Sequence, residues 1–183
     1  MTRSPLPTET YLKGAETTRP QELAYGVVRE AAAPTARHQQ AVGDLYTFLR
    51  ACLEKRRLGR VWMAPLDVVL DPARALVVQP DLVAIFNERL PIVSDRIWGA
   101  PDLVVEVMSP FPRIGDIEER LGWFAQYGVR ECWLVRHLCD EFEIVSFADG
   151  AVATRTRFGP HDTLRSGVLP DLDITPSGIL SDL

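Results

Sequence analysis

The chain reads as an α/β protein: a mixed β-sheet flanked by two main helices. Three observations lead there. Apolar residues recur at helical spacing in two separate stretches, 35–57 and 114–127. Between and after them lie short runs rich in Val, Leu and Ile, bounded by Pro, Gly and Asp, which is the pattern of strands. Their order is helix, β-meander, strand, helix, strand, hairpin, which interleaves both kinds of element in one layered unit.

Residues 1–20 are polar and rich in Thr and Pro, and read as a flexible lead-in to a single domain over 21–183. A short strand pair follows from Glu22 to Glu30, where Leu23, Tyr25, Val27 and Val28 alternate roughly with polar groups. From Thr35 to Arg57, Ala41, Val42, Leu45, Phe48, Leu49, Cys52 and Leu53 form one helical stripe, with Arg37, Gln40, Asp44, Arg50 and Glu54 opposite. Gly59 is expected to end this helix in a left-handed conformation. Strands are expected at 61–64, 66–70 and 76–85, the last interrupted by Pro80, which has no N–H to give a ladder. Asp71 to Arg74 reads as a turn. Asn87 to Ala100 is an excursion carrying Ile97 and Trp98, two apolar residues expected to be exposed and to suit a homodimer. Asp102 to Met108 is apolar on both faces and therefore central. The stiff segment Ser109-Pro110-Phe111-Pro112 stops it. A second helix spans Ile114 to Tyr127 and stops at Gly128. Glu131 to Val135 is a strand, and Phe142–Phe147 with Val152–Phe158 form a hairpin about Ala148-Asp149-Gly150. A short strand at Thr163-Leu164 is expected in the tail.

Composition narrows the function. With 183 residues and 46% hydrophobic content the chain can bury one sizeable core. A net charge of −5 argues against sequence-independent coating of DNA, although a local basic groove is compatible with it. No apolar run approaches the roughly 18 residues of a membrane span, and the start has no apolar signal core. Cys52, Cys132 and Cys139 are odd in number, outside any metal-binding spacing, and expected to be reduced and mostly buried in a cytoplasmic protein. His38, His137 and His161 are too scattered for a sequence-local metal cluster. Only Lys13 and Lys55 are lysines, against eighteen arginines.

The chemistry concentrates in two acids. Asp81 follows Gln79-Pro80 and opens Leu82-Val83-Ala84-Ile85; Glu106 interrupts Leu103-Val104-Val105 and Val107. A carboxylate in such apolar company costs free energy unless it is paired or binds a cation. Facing side chains on neighbouring strands come within about 5 Å, which one cation bridges. Phosphodiester hydrolysis needs that arrangement: carboxylates that hold a divalent metal, Mg²⁺ or Mn²⁺, beside a phosphate oxygen and a water. The carbonyl of Val107 offers a further oxygen ligand, and Glu22 a third carboxylate. Each has a bland reading too. An Asp after Pro is by default a turn or cap residue, Glu22 a solvent-facing strand residue, His38 a cap or packing residue, and Asp102 a strand-entry cap. Asp116 and Arg120, spaced i, i+4, read by default as a surface ion pair.

Gln79-Pro80-Asp81-Leu82-Val83, followed by Gly99-Ala100-Pro101-Asp102-Leu103-Val104-Val105-Glu106-Val107-Met108-Ser109-Pro110, resembles the Uma-type family of restriction endonucleases within the PD-(D/E)XK nuclease superfamily. Arg37-His38-Gln39, Ala64-Pro65-Leu66-Asp67-Val68, Tyr127 to Val135, and the tail from Gly159 to Leu172 resemble it as well, so the likeness runs from about Glu22 to Ile174. The resemblance implies a restriction-endonuclease-like fold, Asp81 and Glu106 as the acids of its two motifs, and Glu22 as its N-terminal acid, here preceded by Pro20-Gln21. A second N-terminal acid is replaced by Val27-Val28. Ser109 stands where the superfamily's lysine would be. Members of this family place their lysine on the following helix, four residues after an Asp that matches Asp116; here that position is Arg120. Arginine stays protonated and is bulkier than lysine, so it suits a phosphate clamp and not a proton-handling group. Two functions stand side by side: a Mg-dependent endonuclease acting on nucleic acid, DNA in the first instance, with Asp81, Glu106, Glu22 and Arg120 catalytic and Asp81, Glu106 and Val107 on the metal; or a nuclease-fold protein that binds without cutting.

Overall fold

The computed structural model describes residues 4–14, 19–108 and 116–180. Two mixed sheets and two main helices form the body of the molecule. A hairpin of β1 (Gln21–Ala24) and β2 (Val27–Glu30) turns at Tyr25-Gly26, both with positive φ. Helix α2 (Ala36–Arg56) begins where the Thr35 side chain accepts the His38 N–H at 3.2 Å, satisfying a donor the first turn cannot. The strands that follow are β3 (Gly59–Met63), β4 (Val68–Asp71), β5 (Leu76–Val78) and β6 (Leu82–Phe86), then β7 (Ile97–Trp98) and β8 (Leu103–Val107). After α3 (Ile117–Tyr127) come β9 (Glu131–Arg136), β10 (Glu141–Ala148), β11 (Ala151–Phe158) and the short α4 (Pro176–Ile179). The first sheet has the order β2-β1-β5-β4-β7, the second β11-β10-β9-β8-β6-β3. Parallel pairing joins β4 to β7 and β8 to β9; the other pairs are antiparallel.

Alternation along β6 and β8 decides the layers. Leu82, Ala84, Leu103, Val105 and Val107 face α2, whose Leu45, Leu49 and Leu53 pack on them with Trp133 and Phe142. Val83, Ile85 and Val104 point the other way, toward α3 (Leu121, Phe124) and toward Val68, Leu76 and Ile97 of the first sheet. Strand β8 is buried on both faces, as its continuous apolar sequence requires.

Several expectations change. The lead-in holds α1 (Thr8–Leu12); Thr8 donates to the Pro72 carbonyl at 2.8 Å, and Leu6, Tyr11 and Leu12 cover Leu23, Val69 and Val77. The outer face of the first sheet is apolar, and this segment is what covers it. Helix α2 ends at Arg57, itself left-handed at φ 54°, and Gly59 already belongs to β3. Residues 76–85 are two strands in different sheets, and Pro80 lies at the crossing. Ile97 is fully buried, because pairing of β7 with β4 turns it into the core; Trp98 is exposed. Cys139 is exposed, while Cys132 is buried. No strand forms at Thr163-Leu164; Leu164, Val168 and Leu169 pack into the core from irregular chain. The second helix starts at Ile117 after the extended cap Asp116, later than the expected Ile114, and the expected stop at Ser109 to Pro112 lies outside the described residues.

Candidate functional site

The acids meet where the sheets meet. Strands β6 and β8 pair Leu82 with Val105, so one further step sets Asp81 across from Glu106. The Val107 N–H donates to Asp81 Oδ2 at 2.7 Å, which ties the Asp81 carboxylate to the residue after Glu106. His38, in the first turn of α2, brings Nε2 to 3.4 Å from the same oxygen. Glu106 projects toward α3, where Arg120 donates to its Oε1 from Nε at 3.1 Å and from Nη2 at 2.5 Å. The remaining arm of the same guanidinium, Nη1, donates to Glu22 Oε2 at 2.5 Å. Glu22 comes from β1 in the other sheet, and its Oε1 accepts the Gln79 N–H at 2.7 Å. The structure thus brings together Asp81, Glu106, Val107, Arg120 and Glu22, the five residues singled out in the sequence.

Arg120 departs from its expected partner. Asp116 caps α3, accepting the Glu118 N–H at 2.9 Å, and forms no ion pair with it. Ile117, Arg120, Leu121 and Phe124 lie on one helical stripe, and the guanidinium is carried inward with it. Among the described residues, three of its five N–H groups are spent on carboxylates. Beside it Arg29 makes a two-armed bond to Glu119 at 2.7 and 3.2 Å, its guanidinium 5.5 Å from the Trp123 ring. Asp102 is structural: it accepts from the Phe86 N–H at 2.8 Å and faces Arg89 and Arg130.

Burial pushes Glu106 up to about 7; the Arg120 charge opposes this, while those of Asp81 and Glu22 add to it. Burial works against the charged form of Arg120, yet Glu106 and Glu22 outweigh it and hold the guanidinium protonated. For His38 burial is the largest single influence and lowers its pKa, but the Asp81 hydrogen bond and charge, the Val107 backbone and the Glu106 charge together raise it. His137, which follows β9, has its pKa lowered by burial, then by His38 and Arg37. The two imidazole rings stand edge to face, 6.1 Å apart. Among the described residues their Nδ1 atoms are the buried side-chain polar atoms without a partner.

His38 and His137 escaped the sequence reading as a pair because ninety-nine positions separate them. One signal did exist for His38: it stands three, four and seven residues before Ala41, Val42 and Leu45, on the inward stripe.

Among the described residues, the bonds to Asp81 fall on Oδ2 and those to Glu106 on Oε1, which leaves Oδ1 and Oε2 as carboxylate oxygens of the kind Mg²⁺ and Mn²⁺ take. The third carboxylate is already engaged by Arg120 and Gln79. Among the described residues, no group of three or more His, Cys, Asp or Glu is arranged to hold a metal.

Comparison with known proteins bears on the family and the fold. A family model described as "Uma2: Putative restriction endonuclease" matches residues 8–177. A crystal structure titled as that of "a putative nuclease belonging to DUF820 from Anabaena variabilis ATCC 29413" superposes with a TM-score of 0.79. It covers 96% of this chain and 97% of its own at 15% identity, a likeness of fold. No curated protein matches. Among the described residues, no helix is long and apolar enough to cross a membrane.

Proposed function

The chain belongs to the Uma2 family, and from that premise we propose that it is a metal-dependent endonuclease that hydrolyses phosphodiester bonds in nucleic acid, DNA in the first instance. The observation that carries the reading is the pair of acids across β6 and β8, each held, among the described residues, through one carboxylate oxygen. Asp81 Oδ1, Glu106 Oε2 and the Val107 carbonyl are the donors that would hold Mg²⁺ or Mn²⁺. A divalent cation there would supply Lewis-acid polarisation of a phosphate and would lower the pKa of a bound water. The chain's own residues do the rest. The Val107 N–H and His38 fix the Asp81 rotamer. Arg120 fixes Glu106 and stands behind it as permanent positive charge. Glu22 holds Arg120 from the far side. Exposed Trp98 offers a contact for a homodimer, an arrangement that matches a two-fold substrate.

The test is cleavage of plasmid and single-stranded DNA with Mg²⁺ or Mn²⁺. Cleavage is expected to fall at least about a hundredfold in Asp81→Ala and in Glu106→Ala, with both variants folded by circular dichroism. Cleavage that persists in either variant would sink the assignment. A second reading has its own observation: the family's lysine position holds Arg120, committed to two carboxylates. On that reading the protein keeps the fold and binds partners without cutting. Calorimetric titration separates the two, because absence of Mn²⁺ binding at millimolar metal belongs to the second.

A further inference from the structure

Arg120 sits among the acids in the manner of a bound ion. Its guanidinium joins a carboxylate of the first sheet to a carboxylate of the second, with N···O distances of 2.5 Å on each side. Glu22 has a donor on each oxygen, Gln79 N–H on Oε1 and Arg120 on Oε2, and is itself almost wholly buried. Glu106 Oε1 already takes two N–H bonds. Two-metal phosphodiester sites place their cations about 3.5–4 Å apart with carboxylates between them. Here one side of Glu106 faces a permanent cation and the other faces Asp81.

We propose that Arg120 is a tethered second cation: the site takes one divalent metal ion, between Asp81 and Glu106, and Glu22 serves the arginine instead of the metal. The proposal rests on the metal reading above. Charge supports it. With Glu106 ionised and His38 neutral, Asp81, Glu106 and Glu22 bring three negative charges and Arg120 removes one, so a single divalent ion neutralises the remainder. Arg29 adds nothing to this balance, because Glu119 answers it. Arginine suits the place because its planar fork reaches two carboxylates at once and it does not deprotonate.

The experiment is Mn²⁺ titration of the full chain by calorimetry, with electron paramagnetic resonance of the loaded protein. The wild type is expected to bind one Mn²⁺ per chain with the spectrum of isolated ions, and Asp81→Ala to lose it. Arg120→Gln frees Glu22 and one side of Glu106 and is expected to bind two Mn²⁺ with an exchange-coupled spectrum. The double variant Arg120→Gln/Glu22→Gln is expected to return to one. Two ions in the wild type, or one in Arg120→Gln, would overturn the proposal and leave the metal site standing. No binding by the wild type would remove the metal site and the proposal together. If Arg120→Gln unfolds without metal, Mn²⁺ is expected to restore its circular dichroism by linkage. A chain that stays unfolded in saturating Mn²⁺ would overturn the proposal.

Discussion

Glu143 and Glu106 are both carboxylates removed from water, and their neighbours send them in opposite directions. At Glu143 burial acts to raise the pKa. Arg155 at 2.7 Å, Arg136 at 3.3 Å and Arg157 at 3.6 Å outweigh it, and the carboxyl lies below its ordinary value of 4.5. At Glu106 one arginine faces burial and two further acids, and burial wins. The sign for Glu143 follows from the lowered value. Its contribution to stability is complete above the unfolded value near 4.5 and is lost as pH falls through the lower folded one. Glu143→Gln is therefore expected to cost about 1–2 kcal/mol near pH 7, with the gap to wild type closing below about pH 4.5 in thermal melts. A gap of equal size at pH 3 would show that shape and not charge is at stake. The acids of the site were legible in the sequence for the same physical reason: a carboxylate inside Val-Val-Glu-Val has few structural excuses. The default reading of Arg120 as a surface ion pair rested on Asp116 at i−4, although the stripe of Ile117, Leu121 and Phe124 already pointed it inward, where the sequence also placed it as a site residue.

Elements were legible wherever periodicity was strong. Helices α2 and α3, the central strand β8 and the final hairpin lie where their patterns put them. Gly128 closes α3 in the left-handed conformation expected of it. Gly59 did not behave so, and the reason is steric. A Cβ there would stand 2.2 Å from the Ile85 carbonyl oxygen and 2.7 Å from the Phe86 Cα, both backbone atoms of the paired strand. Its glycine is required by close approach of β3 to β6, a contact between residues twenty-six apart that no local rule encodes. Gly59→Ala is expected to destabilise by about 2–3 kcal/mol, the scale of overpacking a tight contact, measured as a lower denaturation midpoint at unchanged slope. Arg57→Gly relieves the left-handed strain at the true helix end and is expected to be tolerated within about 0.5 kcal/mol. Were Gly59→Ala neutral and Arg57→Gly costly, the assignment of their roles would be reversed. The division of residues 76–85 between two sheets was illegible because Val, Leu and Ile mark strands without naming the sheet they join.

Two sheets in one chain need something to hold their junction, and here much of it is polar. Gln79, at the crossing between β5 and β6, donates its side-chain amide to Asp67 at 2.9 Å and its backbone N–H to Glu22. Arg120 then ties Glu22 of the first sheet to Glu106 of the second. Apolar packing alone could have closed this seam, since Val83, Ile85, Val104, Leu121 and Phe124 already line it. Buried ion triads replaced as a unit by apolar residues are often neutral or stabilising, whereas removal of one member costs about 3–5 kcal/mol. The triad here is thus better explained by chemistry than by stability. Arg120→Met alone is expected to lose about 3–5 kcal/mol, because Glu22 and Glu106 are left without their counter-ion. Glu22→Leu/Arg120→Met/Glu106→Leu is expected to match or exceed wild-type stability, within about 1 kcal/mol on the unfavourable side, and to bind no Mn²⁺. Urea denaturation of the three proteins measures both limits. A triple variant as weak as the single one would mean that the ions hold the sheets together and are not kept for a cation.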